Sequence, residues 1–283
     1  MYYFTGEDRL SSVLENALQL LFPMGTYCIC CGRYIDLTRA YCICDRCMAS
    51  INWGFIKIDL DEERKHSGRT EYLDSALSCM VYGMHSKRLV FDLKYNKKTY
   101  LARPLSMIMT DRILNDEATC DLPGTIDFIV PIPLHRSKQK NRGFNQAALI
   151  SAELTARLNH ALEARVDHDK AQALQIHKIR HLPNCLRRDK PTIAQRSVTG
   201  GQRFTNLEGA FSVDPKYETM LEGSSVLLVD DIFTTGATAD RCARVLKETG
   251  VSKVHLLSLA TGNYYLEGSF RRRDDEDFLD SLG

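Results

Sequence analysis

The stretch VLLVDDIFTTGAT runs from Val226 to Thr238. Its opening apolar run predicts a strand buried on both faces. Asp230 and Asp231 stand at the carboxyl end of that strand. A turn of small, hydroxyl-bearing residues around Gly236 then opens a helix. The backbone amides from Thr234 to Thr238 can point into one concavity, and the new helix adds its positive N-terminal end. Gly236 lets the backbone approach a ligand closely. Thr234, Thr235 and Thr238 add hydroxyl donors. Such a bend fits a phosphate monoester. Two carboxylates just upstream suit the vicinal hydroxyls of a ribose. No lysine follows the glycine, so this is not a Walker A loop. Acidic pairs after buried strands also serve as helix caps and magnesium sites, and the segment alone leaves that alternative open.

Outward from this segment, strands and helices alternate. LDSALSCMVYG (73–83), IDFIVPIPL (126–134), ALQIHKI (173–179), LEGAFSV (207–213), SSVLLVDD (224–231) and VSKVHLLSLA (251–260) read as strands. Residues 85–95, 99–115, 143–162 and 236–250 read as helices, with Thr99 expected to cap the second. The order predicts an α/β fold with a mostly parallel sheet and helices on both faces. Ligands of such sheets bind beyond the strand carboxyl ends, where Asp230 lies. Residues 178–206 are a long polar stretch without period, expected to be part of a mobile hood over the site. Residues 11–22 predict a short amphipathic helix, with Ser12 and Glu15 as a capping box. The expected domains are 1–60, a helix with a cysteine module, and 70–265, the α/β domain. The charged tail, 266–283, is expected to be disordered. Residues 49–72 read as a polar connector.

The chain has 283 residues, 10 of them cysteine. Cys28, Cys30, Cys31, Cys42, Cys44 and Cys47 crowd into one short segment. Within it, Cys28-x-x-Cys31 and Cys44-x-x-Cys47 have the spacing of a zinc ribbon or knuckle. Four thiolates make a closed tetrahedral site, structural rather than catalytic. A redox-active pair is the rival reading. Cys30 and Cys42 are buried spectators or alternative ligands. Clustered cysteines in a long chain favour a reducing compartment.

The net charge of +1 supplies no global pull toward nucleic acid or membrane. With no secretory signal and no apolar run long enough to span a bilayer, the cytoplasm is the expected location and membrane insertion is not expected. Two local patches are basic. Arg136, Lys138, Lys140 and Arg142 lie in HRSKQKNR without an acid, and Arg187, Arg188 and Lys190 belong to the polar stretch. Both patches either hold a small ligand's phosphates, or form a track for single-stranded DNA with Phe144 and Phe204 as stacking faces.

VLLVDDIFTTGAT resembles the signature by which type I phosphoribosyltransferases bind phosphoribosyl pyrophosphate (PRPP). IVPIPLHRSKQKNRGFNQA (129–147) is similar to the ComF-family block of a Pro-x-Pro strand end, a basic loop and Arg-Gly-Phe-Asn-Gln. Thr192, Gln195, Arg203, Asn206 and Gly209-Ala210-Phe211 resemble that family's approach to its next strand. The cysteine module completes the order, so the likeness covers about residues 25–262. It implies a type I phosphoribosyltransferase-like fold plus a small zinc module. Asp230 and Asp231 would hold the ribose hydroxyls, and Thr234, Thr235, Gly236, Ala237 and Thr238 the 5′-phosphate. His135, Arg136 and Lys138 would meet the pyrophosphate with magnesium, making Asp230, Asp231 and Arg136 the expected catalytic residues. Lys94-Tyr95 resembles the family's Lys-aromatic motif, although Asn96-Lys97 stands where a glycine or small residue is usual. The resemblance implies a PRPP-binding protein of DNA uptake and natural transformation, with other competence proteins as partners. The alternatives are a non-enzymatic, PRPP-gated single-strand-binding factor and a nucleotide-sensing regulator. No acceptor-recognition segment is evident apart from Tyr264 and Tyr265, so turnover stays open.

Overall fold

The computed structural model describes residues 26–36, 39, 41–58, 60–61, 71–165, 177–189 and 209–262, with backbone alone for 54–56, 84–85, 264–266 and 269–271. The chain divides into two compact units, Met1–Ser50 and Ile51–Gly283. The expected helix at 11–22 lies outside the described residues.

In the first unit, Tyr27 and Tyr34 form an antiparallel bridge. The chain turns between them at Gly32, whose φ of 73° is open to glycine at no steric cost. Helix α1 (Asp45–Ser50) follows.

The second unit is built on strands β1 (Trp53–Lys57), β2 (Ser75–Met80), β3 (Phe128–Pro131), β4 (Arg180–His181), β7 (Ser225–Phe233) and β8 (Lys253–Thr261). They form a six-stranded sheet in the order β1-β2-β8-β7-β3-β4. Every neighbouring pair is parallel except β1 with β2. Parallel neighbours need crossover connections. Helices α2 (Met84–Tyr95) and α3 (Ala102–Asn115) lie between β2 and β3, and α4 (Arg136–Arg142) and α5 (Gln146–Arg165) between β3 and β4. A short antiparallel ribbon of β5 (Leu186–Arg188) and β6 (Phe211–Val213) stands apart from the sheet. Helix α6 (Glu218–Leu221) precedes β7, and α7 (Ala237–Glu248) joins β7 to β8.

Phe128, Val130, Val226, Leu228, Val254 and Leu256 pack with Cys242, Ala243 and Leu246 of α7 and with Leu186, Phe211 and Val213 of the ribbon. On the opposite face lie the buried stripes Leu105, Met109 and Ile113 of α3 and Ile150, Leu154 and Leu158 of α5. Each fully buried aliphatic side chain contributes about 1.5–3 kcal/mol. With both faces covered, β7 has no need of polar alternation until Asp230.

The sheet and its helices bear out the expected α/β class. Local readings fare less evenly. Trp53–Lys57 lies inside the stretch read as a connector, yet it supplies edge strand β1. Thr99 caps nothing: it opens a 3-10 turn, Thr99–Leu101, and α3 starts from Leu101 without a side-chain cap. The basic loop is in fact α4. In the polar stretch 178–206, the described part holds β4 and β5, and 190–206 lie outside the described residues, as does the tail beyond 271.

Candidate functional site

β7 carries Asp230 and Asp231 three and two residues before its last residue, Phe233. Thr234 and Thr235 follow, and Gly236 takes φ 70° as the N-cap of α7. No side chain caps this helix. The Asp240 N–H donates to the Gly236 carbonyl at 2.8 Å. The amides of Ala237, Thr238 and Ala239 precede that bond and have no carbonyl partner inside the helix. They sit at the positive end of a twelve-residue helix, an arrangement that accepts an anion.

The two carboxylates have different surroundings. Asp231 is 3% exposed, and the Lys94 ammonium of α2 reaches its Oδ1 at 3.0 Å. Its Oδ2 is buried without a hydrogen-bond partner. Asp230 is partly exposed, and its Oδ1 accepts the Asp231 N–H at 2.8 Å. Loss of hydration, with the Asp231 charge beside it, raises Asp230 to about 8, against the opposing pull of Lys94.

Lys94 and Arg188 act electrostatically on this pair, and Lys138 and Arg142 act on those cations. Lys138 is lowered by loss of hydration and by the like charges of Arg188, Arg142 and Lys94. Arg188 of β5 is lowered by burial, with Asp230 acting in the opposite direction, and it lies over the Phe211 ring at 5.3 Å. Arg142 donates to the Gln146 side chain and lies 5.3 Å over the Tyr95 ring. Tyr82, just past β2, is raised to about 12 by burial and by the Asp231 and Tyr95 charges.

In the first unit, the sulfurs of Cys28, Cys31, Cys44 and Cys47 all lie within 4.8 Å of one another. The Cys31 and Cys44 sulfurs are 3.7 Å apart. A tetrahedral zinc with bonds of about 2.3 Å needs edges of about 3.8 Å. The Cys44 N–H donates to the Cys28 sulfur at 3.3 Å, as a backbone amide does for a thiolate ligand. The cluster is compatible with structural zinc. Cys30 is buried at 3% exposure and stands outside this group.

Residues 121–278 match the phosphoribosyl transferase domain. The chain belongs to that family. It is 28% identical over 172 residues to Competence protein F of Haemophilus influenzae, covering 61% of this chain and 66% of that protein. It is 26% identical over 171 residues to DNA utilization protein YhgH of Escherichia coli K12, covering 60% and 65%. Competence protein ComFC of Bacillus subtilis is 32% identical over 122 residues, covering 43% and 39%. The chain thus matches a little under two-thirds of the length of the first two relatives. These matches bear out the ComF-type resemblance.

The structure brings the Lys94 ammonium to Asp231 and puts Arg188 within electrostatic reach of Asp230, while Arg142 lies over the Tyr95 ring and Lys138 is exposed on α4. It does not treat the other expected residues alike. His135 is the N-cap of α4: its Nδ1 accepts the Ser137 N–H at 3.2 Å and lies 2.7 Å from the Ser137 hydroxyl. Arg136 and Lys140 are exposed on α4. Arg187 turns to Asp214, Nη2 to Oδ2 at 2.5 Å, leaving its neighbour Arg188 to face Asp230. Lys190 and Phe204 lie outside the described residues, as do the side chains of Tyr264 and Tyr265. Asn145 escaped the sequence reading. It caps α5 by accepting the Ala147 N–H and donates to the Ile132 carbonyl, both at 3.0 Å, which fixes the exit of β3. Tyr82 was missed too, although its place just beyond a strand end was a signal.

Proposed function

We propose that this chain binds PRPP through the β7–α7 bend and acts in the uptake or use of DNA. The observation that carries the reading is the uncapped N-terminus of α7 directly after two carboxylates, one of them with a buried oxygen lacking any partner. The 5′-phosphate takes the amides and hydroxyls of Thr234, Thr235, Gly236, Ala237 and Thr238. Asp230 and Asp231 accept hydrogen bonds from the ribose hydroxyls, and ligand entry supplies Asp231 Oδ2 with a donor. Lys94, Lys138, Arg142 and Arg188, with Arg136 and His135 at the margin, offset the pyrophosphate charge. Departure of pyrophosphate leaves positive charge on the ribose ring, which Asp230 and Asp231 stabilise. Magnesium bound with PRPP would supply positive charge to the leaving group, and no protein ligand is assigned to it.

In the first unit, zinc occupies the Cys28, Cys31, Cys44 and Cys47 cluster as a structural ion. The protein is cytoplasmic in this reading. Relatives named for competence and for DNA utilization support the DNA role, and competence proteins are the partners that role suggests.

Calorimetry of PRPP with magnesium tests the site. Wild type binds, and the Asp230→Ala/Asp231→Ala chain loses most of its affinity. Equal affinity would reject the assignment of the carboxylates. A pyrophosphate-release assay with candidate acceptors then separates two forms of the function. Acceptor-dependent release makes the protein a transferase. PRPP-altered affinity for single-stranded DNA without release makes it a gated binding factor, the second reading, which the exposed cations of α4 favour.

A further inference from the structure

The large hydrophobic side chains exposed in the second unit, among the described residues, are Phe91, Tyr95 and Tyr100, at 40%, 47% and 48%. They belong to α2 and the turn that follows it, the segment that also carries Lys94. The phosphoribosyl ligand does not explain them. A phosphate and a sugar need donors and carboxylates, not ring faces.

Three observations give the patch a chemistry. Phe91 and Tyr95, one helical turn apart, have ring centroids 4.9 Å apart at a tilt of 40°. Such a pair presents a stepped aromatic surface. Arg142 of α4 lies 5.3 Å from the Tyr95 centroid, so a guanidinium borders the same surface. The field at Lys138 comes from Arg188, Arg142 and Lys94, which places the patch beside an accumulation of positive charge. The chain then turns at Lys97, which holds φ 52° and is exposed. That is the left-handed region, costly for a lysine, and strain of this kind is concentrated at functional sites. Aromatic faces interleaved with cations are the surface a single-stranded nucleic acid uses, with bases on rings and phosphates on Lys and Arg.

We infer that Phe91, Tyr95 and Arg142 form a stacking shelf on which a base of single-stranded nucleic acid rests, beside the ribose-phosphate site. The inference deepens the proposed function and rests on it for the neighbouring site. It puts the base-bearing strand on α2, not on Phe144. Tyr82, raised first by burial, also feels the charges of both Asp231 and Tyr95.

The test uses the full chain and three probes: a thymidine oligomer, an abasic oligomer of equal length, and thymidine monophosphate. Binding is measured at fixed salt for wild type, Tyr95→Ala, Tyr95→Phe and Phe91→Ala. Loss of one stacked base weakens binding roughly tenfold. Tyr95→Ala and Phe91→Ala should show that loss on the thymidine oligomer, Tyr95→Phe should retain affinity, and the abasic oligomer should be insensitive. Unchanged binding of the thymidine oligomer by Tyr95→Ala, or an equal loss on the abasic oligomer, overturns the shelf. Thymidine monophosphate bound as tightly as the oligomer, with the same Tyr95 dependence, overturns the strand as occupant. PRPP calorimetry on the same variants separates the two readings. Wild type that fails to bind PRPP sinks the ribose-phosphate site alone, and the stacking result stands or falls by itself.

Discussion

The Lys94 ammonium lies 3.0 Å from Asp231 Oδ1, with the two side chains 15% and 5% exposed. This pair joins the end of α2 to the middle of the candidate site. Removing one partner of a buried pair strands the other charge. Lys94→Met should therefore destabilise the chain by about 3 kcal/mol in urea melts. Adding Asp231→Asn to that variant should recover a large part of the loss. Additive losses in the double variant would show that the two groups do not interact.

Asp230 provides a pH signature. Its folded value of about 8 lies above the unfolded value. The folded state therefore binds more protons between the two values, and stability falls as pH rises through that window. Thermal melts from about pH 5 to about pH 8 should show a decline in wild type that Asp230→Asn flattens. The variant should be the more stable of the two at the upper end.

Metal content checks the first unit. Purified chain should carry about one zinc, with Cys31→Ser losing it and Cys30→Ser keeping it. Loss in both variants would place Cys30 among the ligands. A strong chelator should unfold this unit, because binding energy and folding energy are shared in small zinc modules.

Gly236 is held at φ 70°. Gly236→Ala should cost about 1–2 kcal/mol, since a Cβ is strained there. It should also weaken PRPP binding in calorimetry, because the backbone proposed to cup the phosphate would shift. Gly124, whose φ is not positive and around which a Cβ would meet open space, is the control and should tolerate alanine.

How much of this was legible in the sequence depended on distance along the chain. Val226 to Thr238 contains its own strand, acids, glycine and helix start, so local chemistry sufficed. The four zinc-spaced cysteines are similar, since two turns define them. Lys94 and Arg188 come from separate elements, and only the crossovers of the sheet bring them to Asp231 and Asp230. Helix α4 was hidden because RSKQKNR has no apolar stripe to betray a period, and no residue of it is buried. Thr99 misled because it is the first residue inside the 3-10 turn, with Lys98 in the N-cap position and α3 starting only at Ala102. Tyr95 was quoted beside Lys94, but nothing in its sequence neighbourhood disclosed that Arg142 would cover its ring.

The Tyr72 N–H donates to Asp240 Oδ1 at 2.7 Å, across 168 positions of chain. Asp240 belongs to the first turn of α7, the same turn whose amides are proposed to take the 5′-phosphate, and it is 1% exposed. Whatever steadies that turn therefore also clamps the thread leading into β2. A ligand at one end of the sheet would slow deuterium uptake at Tyr72, a residue it never touches.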